Sequence, residues 1–164
     1  MSARMIYLIG FFTICLILGG SFYLQFVDGI MPCPLCTFQR FAFLLLGLGF
    51  LFGVLVSSRM LGRLIVNIIL TISALFGLVF AGRQVWLQHF SNAQNADCGV
   101  SLQYMLNILP IDQVIKKVFQ GSAECRANGF QFLSLNMAEW SFIWFVLFLF
   151  LSVYLFLKER KWQN

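Results

Sequence analysis

Five cysteines carry the chemistry that this 164-residue chain could perform: Cys15, Cys33, Cys36, Cys98 and Cys125. Cys33-Pro34-Leu35-Cys36 is a C-x-x-C motif at the amino end of a long apolar segment. A zinc site would need four ligands, usually two close pairs or a pair joined by histidines. The remaining spaced pair, Cys98 and Cys125, is far apart, and His89 is the only histidine, so that spacing argues against metal. A static disulfide is a second reading. The third, adopted here, is a redox-active dithiol. A bridge over two residues gains little from loop closure, and is therefore more easily reduced than a long-loop structural bridge. Cys36 also stands where the dipole of the following helix favours a thiolate.

Other residues take meaning from these. Arg40 lies four residues beyond Cys36, one helical turn along the same face. It either snorkels to water or faces inward, where it would steady the Cys36 sulfur and donate hydrogen bonds to an oxygen acceptor. His89 is either an interfacial side chain or a proton-handling group beside a cofactor. Cys98 and Cys125 enclose 26 residues. If paired they form either a permanent staple or an attackable bridge. The small, polar flank from Asn92 to Gly99 favours the attackable form. Cys15, within an apolar run, reads as a small buried hydrophobe. Trp86 and Trp140 fit an interfacial aromatic belt.

The elements that must hold these residues are membrane helices. Hydrophobic residues make up 60% of the chain and charged ones 10%, with a mean hydropathy of +0.87 and twenty Phe. That composition excludes a soluble globular enzyme, a disordered chain and a coiled coil. The net charge of +5 is therefore no signal for nucleic acid. Met5–Val27, Phe41–Ser58, Leu64–Gly82 and Trp140–Leu157 contain no Asp, Glu, Lys or Arg. Each is close to the ~20 residues that cross a hydrocarbon core. The first is too long for a signal-peptide core, and no A-x-A site follows it. With four spans, Arg4, Arg59, Arg63, Lys158, Arg160 and Lys161 share one side, which the positive-inside rule makes cytoplasmic. Loops 28–40 and 83–139, with four of the five cysteines, are then periplasmic or otherwise extracytoplasmic, where disulfides persist.

The expected fold is an all-α, single-domain membrane protein over residues 1–164, a four-helix bundle with a long periplasmic loop. No strand pattern is apparent in residues 83–139. Leu102, Met105, Leu106 and Leu109 have helical spacing, Pro110 interrupts, and Ile111, Val114, Ile115 and Val118 repeat it. Two short amphipathic helices on the bilayer surface are expected there.

The layout resembles the DsbB family of bacterial disulfide-generating membrane proteins. The matching residues are Cys33-Pro34-Leu35-Cys36-x-x-x-Arg40, then Gln84 to His89, Cys98 and Cys125, and Phe132-Leu133-Ser134-Leu135-Asn136-Met137 leading to Trp140. The resemblance spans nearly the whole chain. It implies an inner-membrane, quinone-dependent thiol oxidoreductase that reoxidises a DsbA-like, thioredoxin-fold periplasmic oxidase. The DsbA–DsbB–quinone system is itself the known example of how the periplasm is kept oxidising. By the same resemblance, Cys98 would form the mixed disulfide with the oxidase and Cys125 would be its partner. Cys33 would exchange with that pair. Cys36 would face a ubiquinone or menaquinone from the membrane pool. Arg40 would hold the quinone oxygen, and His89 would lie near it.

Two other functions compete with this one. A four-span scaffold with structural extracytoplasmic disulfides would need no reactive dithiol, but a two-residue bridge has little bracing value. A quinone reductase related to the vitamin K epoxide reductases also has four helices and two cysteine pairs. The C-x-x-C of that family, as generally described, lies near its last helix, whereas here the motif precedes the second span.

Overall fold

The computed structural model describes residues 3–27, 29, 33–57, 60–90, 107–121, 125 and 131–161. Four long helices dominate: α1 (Ala3–Val27), α2 (Pro34–Val56), α3 (Met60–Phe90) and, after the long loop, α5 (Met137–Lys161). All four are long and apolar enough to cross a membrane. In lipid the backbone must satisfy its own hydrogen bonds, which is why such segments are helical throughout. A shorter helix, α4 (Ile111–Gln120), lies in the long loop, followed by a ribbon of β1 (Gln131–Phe132) and β2 (Leu135–Asn136). The chain is a multi-pass, four-helix membrane bundle.

The helices outrun the uncharged spans. α2 begins at Pro34 rather than near residue 41, and α3 continues to Phe90, two turns past Gly82. Charge marks where lipid ends, whereas a helix ends only where its hydrogen-bond ladder is capped. The 31 residues of α3 rise about 46 Å, well beyond a hydrocarbon core of about 30 Å. Its last turns therefore carry Gln84 and His89 out of the core on a rigid rod.

α1 packs on α2, α2 on α3, and α3 on α5. The core holds Tyr7, Ile14, Phe43, Leu46, Phe50, Leu70, Phe145 and Phe148. Phe43 and Phe145 stack with centroids 4.2 Å apart. Gly77 makes room for that stack, because a Cβ there would lie 2.1 Å from the Phe145 ring. Polar side chains join helices where lipid offers no competing partner: Tyr7 Oη donates to Asn67 Oδ1 at 3.1 Å, and the Thr71 and Ser152 hydroxyls lie 3.1 Å apart. Phe12, Leu16, Phe26, Leu55 and Phe150 point outward, as a lipid-facing surface requires. Cys15 joins them. It is exposed rather than buried, because its position on α1 faces away from α2.

In the long loop, α4 realises the second amphipathic repeat. Val114 and Val118 are buried, and Ile111 and Ile115 exposed. Leu102, Met105 and Leu106 of the first repeat lie outside the described residues. The ribbon corrects the strand-free expectation. Gln131 pairs with Asn136 and Phe132 with Leu135. Leu133 and Ser134 turn between them with φ of 53° and 66°. Two positive φ values in a two-residue loop are those of a type I′ hairpin, usually signalled by Asn-Gly. Leu-Ser gives no such signal. The ribbon delivers the chain to Asn136, from which α5 departs. Glu139 reaches back to accept from the Asn136 N–H at 2.7 Å, the return half of a capping box.

Candidate functional site

Cys33 is the N-cap of α2, with Pro34 in the first turn. Proline suits that position, since its missing N–H would have no helical partner. The cap turns the C-x-x-C into a compact unit. The Cys36 N–H points at Cys33 Sγ at 3.4 Å, and the Thr37 N–H and hydroxyl both donate to the Cys33 carbonyl. The two sulfurs are thereby brought to 3.1 Å as free thiols.

A third sulfur joins them. Cys125 is in hydrogen-bonding contact with the Cys33 side chain. Both are buried, at 3% and 1% exposure, in a cluster with Leu35, Phe80, Leu87, Val114 and Val118. Cys36 is only partly buried. The Cys33 thiol is pushed up from its ordinary range, first by its contact with Cys125, then by Cys36 and by burial. The three sulfurs thus run in the order Cys36, Cys33, Cys125, with Cys33 in the middle and held protonated.

The cluster is covered by α4. Val114 and Val118 press onto it, and Arg83 Nε on α3 donates to the Phe119 carbonyl at 2.8 Å. Phe80 stacks on Phe38 at 4.9 Å and meets Phe119 at 5.4 Å, joining α2, α3 and α4. α4 closes at Gly121, whose N–H donates to the Lys117 carbonyl. Its φ of +78° favours glycine, and a Cβ there would sit 2.3 Å from Leu87. Leu87 packs in the same cluster as Cys125, four residues beyond Gly121.

Arg40 turns inward, toward α1. Its Nε donates to Ser21 Oγ at 2.7 Å, Nη2 to the Ser21 carbonyl at 3.0 Å and Nη1 to Gln25 Oε1. The guanidinium also lies 5.2 Å from the centre of the Phe22 ring. His89 Nε2 pairs with Glu139 Oε1 at 2.8 Å, tying the end of α3 to the start of α5. Its described hydrogen bond is to Glu139, not to the sulfurs. Cys98 lies outside the described residues. Of the residues picked from sequence, Cys33, Cys36 and Cys125 meet directly, while Arg40 and His89 are each fixed by a different helix.

Sequence reasoning assigned no role to two residues, although Gln84 begins the matching stretch Gln84 to His89. Gln84 and Gln39 are both buried, at 3% exposure. Gln84 Nε2 lies 3.2 Å from Cys36 Sγ, and Gln39 Nε2 donates to Gln84 Oε1 at 2.7 Å. The available signal was helical register: Gln84 falls one turn beyond Phe80 and Ala81, on the stripe of α3 that faces α2.

Comparison with known proteins agrees with this architecture. The family described as "Disulfide bond formation protein DsbB" matches residues 3–155. Disulfide bond formation protein B 1 of Pseudomonas aeruginosa is 38% identical over 158 residues, covering 96% of this chain and 97% of that protein. Disulfide bond formation protein B of Marinobacter nauticus is 34% identical over 99% of this chain and 98% of its own length. The corresponding protein of Nitrosomonas eutropha is 38% identical over 88% and 89%. With four apolar helices and a dithiol capping the second, the chain belongs to the DsbB family of membrane disulfide bond formation proteins.

Proposed function

We propose that this disulfide bond formation protein is a thiol:quinone oxidoreductase of the bacterial inner membrane, with its termini cytoplasmic and its cysteine loops periplasmic. Its substrate is the reduced dithiol of a DsbA-like thioredoxin-fold oxidase. The observation that carries the reading is the row of three thiols, Cys36, Cys33 and Cys125, at one end of the bundle.

In the oxidised resting form Cys98 pairs with Cys125 and Cys33 with Cys36. A thiolate of the partner attacks Cys98, forming a mixed disulfide and releasing Cys125. Cys125 lies against Cys33, so it attacks that sulfur and expels Cys36 as a thiolate. The partner's second thiol then resolves the mixed disulfide, leaving the partner oxidised and Cys98 reduced. Return of Cys98 to Cys125 restores the second pair and leaves Cys33 and Cys36 as the reduced pair. Two electrons and two protons have moved from the partner to that pair.

A quinone supplies the two-electron acceptor that reoxidises Cys33 and Cys36. The chain's residues suit it. Cys36 is the least buried of the three sulfurs, and it is the one expelled. Arg40 uses three of its five N–H groups on α1, which leaves two donors for a quinone oxygen. His89, oriented by Glu139, is a candidate to exchange protons at the end of α3.

The test uses purified protein in detergent without oxygen, a reduced thioredoxin-fold oxidase and a soluble ubiquinone analogue. Loss of quinone absorbance should be catalytic and should vanish in Cys36→Ser. No loss with ubiquinone or menaquinone analogues, from folded protein, would refute the reading.

A further inference from the structure

Gln84 has chemistry suited to more than packing. A primary amide both accepts and donates, and here both ends face one sulfur. The Cys36 thiol lies 3.4 Å from Gln84 Oε1, as a donor to it, and Gln84 Nε2 lies 3.2 Å from the sulfur, as a donor in return. The same side chain can therefore serve Cys36 as a thiol and as a thiolate, with no movement of the backbone. Which end does which is decided one step away. Gln39 Nε2 occupies Gln84 Oε1 at 2.7 Å. That bond holds the carbonyl end toward Gln39 and leaves the N–H end for sulfur. Both amides are buried, so water offers little competition for either bond.

Cys36 Sγ accepts from the Cys33 thiol at 3.1 Å as well. We propose that Gln84 is a second hydrogen-bond donor that stabilises the Cys36 thiolate, and that Gln39 is a positioning residue that sets the orientation of the Gln84 amide. The inference deepens the proposed function, in which Cys36 is the sulfur expelled by Cys125. It rests on that reading for its purpose but not for its test.

The test is alkylation of Cys36 by iodoacetamide in the full-length, reduced protein, counted by mass spectrometry of the Cys36 peptide across pH 5 to 10. It needs neither quinone nor protein partner. If it succeeds while quinone turnover fails, only the proposed function falls. If it fails while turnover is intact, only the Gln84 assignment falls. Loss of the donor in Gln84→Met should cut the thiolate population on the acid limb about tenfold, equivalent to about 1.4 kcal/mol. A hydrogen bond to a charged acceptor contributes at least that much. The more basic sulfur is also the better nucleophile, which recovers about half of the effect on a logarithmic scale. Alkylation should therefore be about threefold slower than wild type on the acid limb and about threefold faster near pH 10, so the two profiles cross. A residue that merely shapes the site would shift the rate in one direction at every pH. Gln39→Met should give a crossing of smaller size. Gln84→Leu removes both polar ends at similar size and should give the same crossing as Gln84→Met. Parallel profiles, or a wild-type profile in Gln84→Leu, would overturn the proposal. Should Gln84→Met fail to fold, Gln84→Leu and Gln39→Met decide it.

Discussion

The contact between Cys33 and Cys125 depends on how α4 ends, and Gly121 is the place to break it. Alanine there meets two obstacles. The backbone has φ +78° and ψ 127°, a region that side chains rarely occupy, at a cost of roughly 1–3 kcal/mol. The new Cβ would also lie 2.3 Å from Leu87, which packs in the same cluster as both sulfurs. The chain can relax by rotating Gly121 out of this conformation, which carries Cys125, four residues on, away from Cys33. Taking the lower half of the strain range, about 1.4 kcal/mol of lost preference corresponds to a tenfold smaller equilibrium constant. The assay uses a background of Cys36→Ser and Cys98→Ser, so that only Cys33 and Cys125 can bridge the loops. Mild oxidation should form that bridge readily, seen as a disulfide-linked pair of peptides after proteolysis. In glutathione buffers of graded potential, Gly121→Ala should lower the bridging constant about tenfold or more. Gly19→Ala is the control, since its Cβ would meet nothing within 4 Å. An unchanged constant in Gly121→Ala would refute the argument that α4 closure seats Cys125.

Three further outcomes are expected. Arg40→Met should raise the KM for a soluble quinone about tenfold or more, through loss of a charged donor, while the protein remains monodisperse. The Cys33 thiol is pushed up, so above pH 9.0, its ordinary value, the unfolded chain releases this proton and the native chain does not. Stability from this group is therefore full below pH 9.0 and falls as pH rises above it. The reduced wild type should lose Tm faster than Cys33→Ala between pH 9 and 10.5. Finally, Gly77→Ala forces a Cβ to 2.1 Å from Phe145, whose ring is already stacked on Phe43. It should destabilise the bundle by about 1–3 kcal/mol, read as a lower Tm in detergent.

The bundle and its thiols were legible in the sequence for physical reasons that did not extend to everything around them. Lipid imposes a length and a polarity on a span, so four uncharged runs near 20 residues announce four helices. Lipid imposes nothing on where a helix stops in water. The last turns of α3, where Gln84 sits, were therefore hidden, whereas the start of α2 was legible only through the helical spacing of Cys36 and Arg40. Cys15 lay in an apolar run that reads alike on every face, and only packing against α2 decides which face meets lipid. The hairpin escaped because Leu133 and Ser134 adopt positive φ without the glycine or asparagine that would signal it. Pairings across the fold are the hardest to see. Gln39 and Gln84 are 45 residues apart and each is unremarkable on its own helix.

Burial of the middle thiols bears on the order of the proposed relay. A folded partner cannot reach Cys33 or Cys125, which are 3% and 1% exposed under α4. Disulfide exchange needs a nearly linear approach of three sulfurs, so the only sulfurs able to attack Cys33 are those already beside it. In the proposed route the partner must therefore enter at Cys98. Electrons then reach Cys36 through Cys125 and Cys33, not directly. The same burial keeps small external thiols from Cys33 and Cys125. In the proposed route, entry at Cys98, the buried pair Cys125 and Cys33 and the partly buried Cys36 follow one another in the order of the reaction.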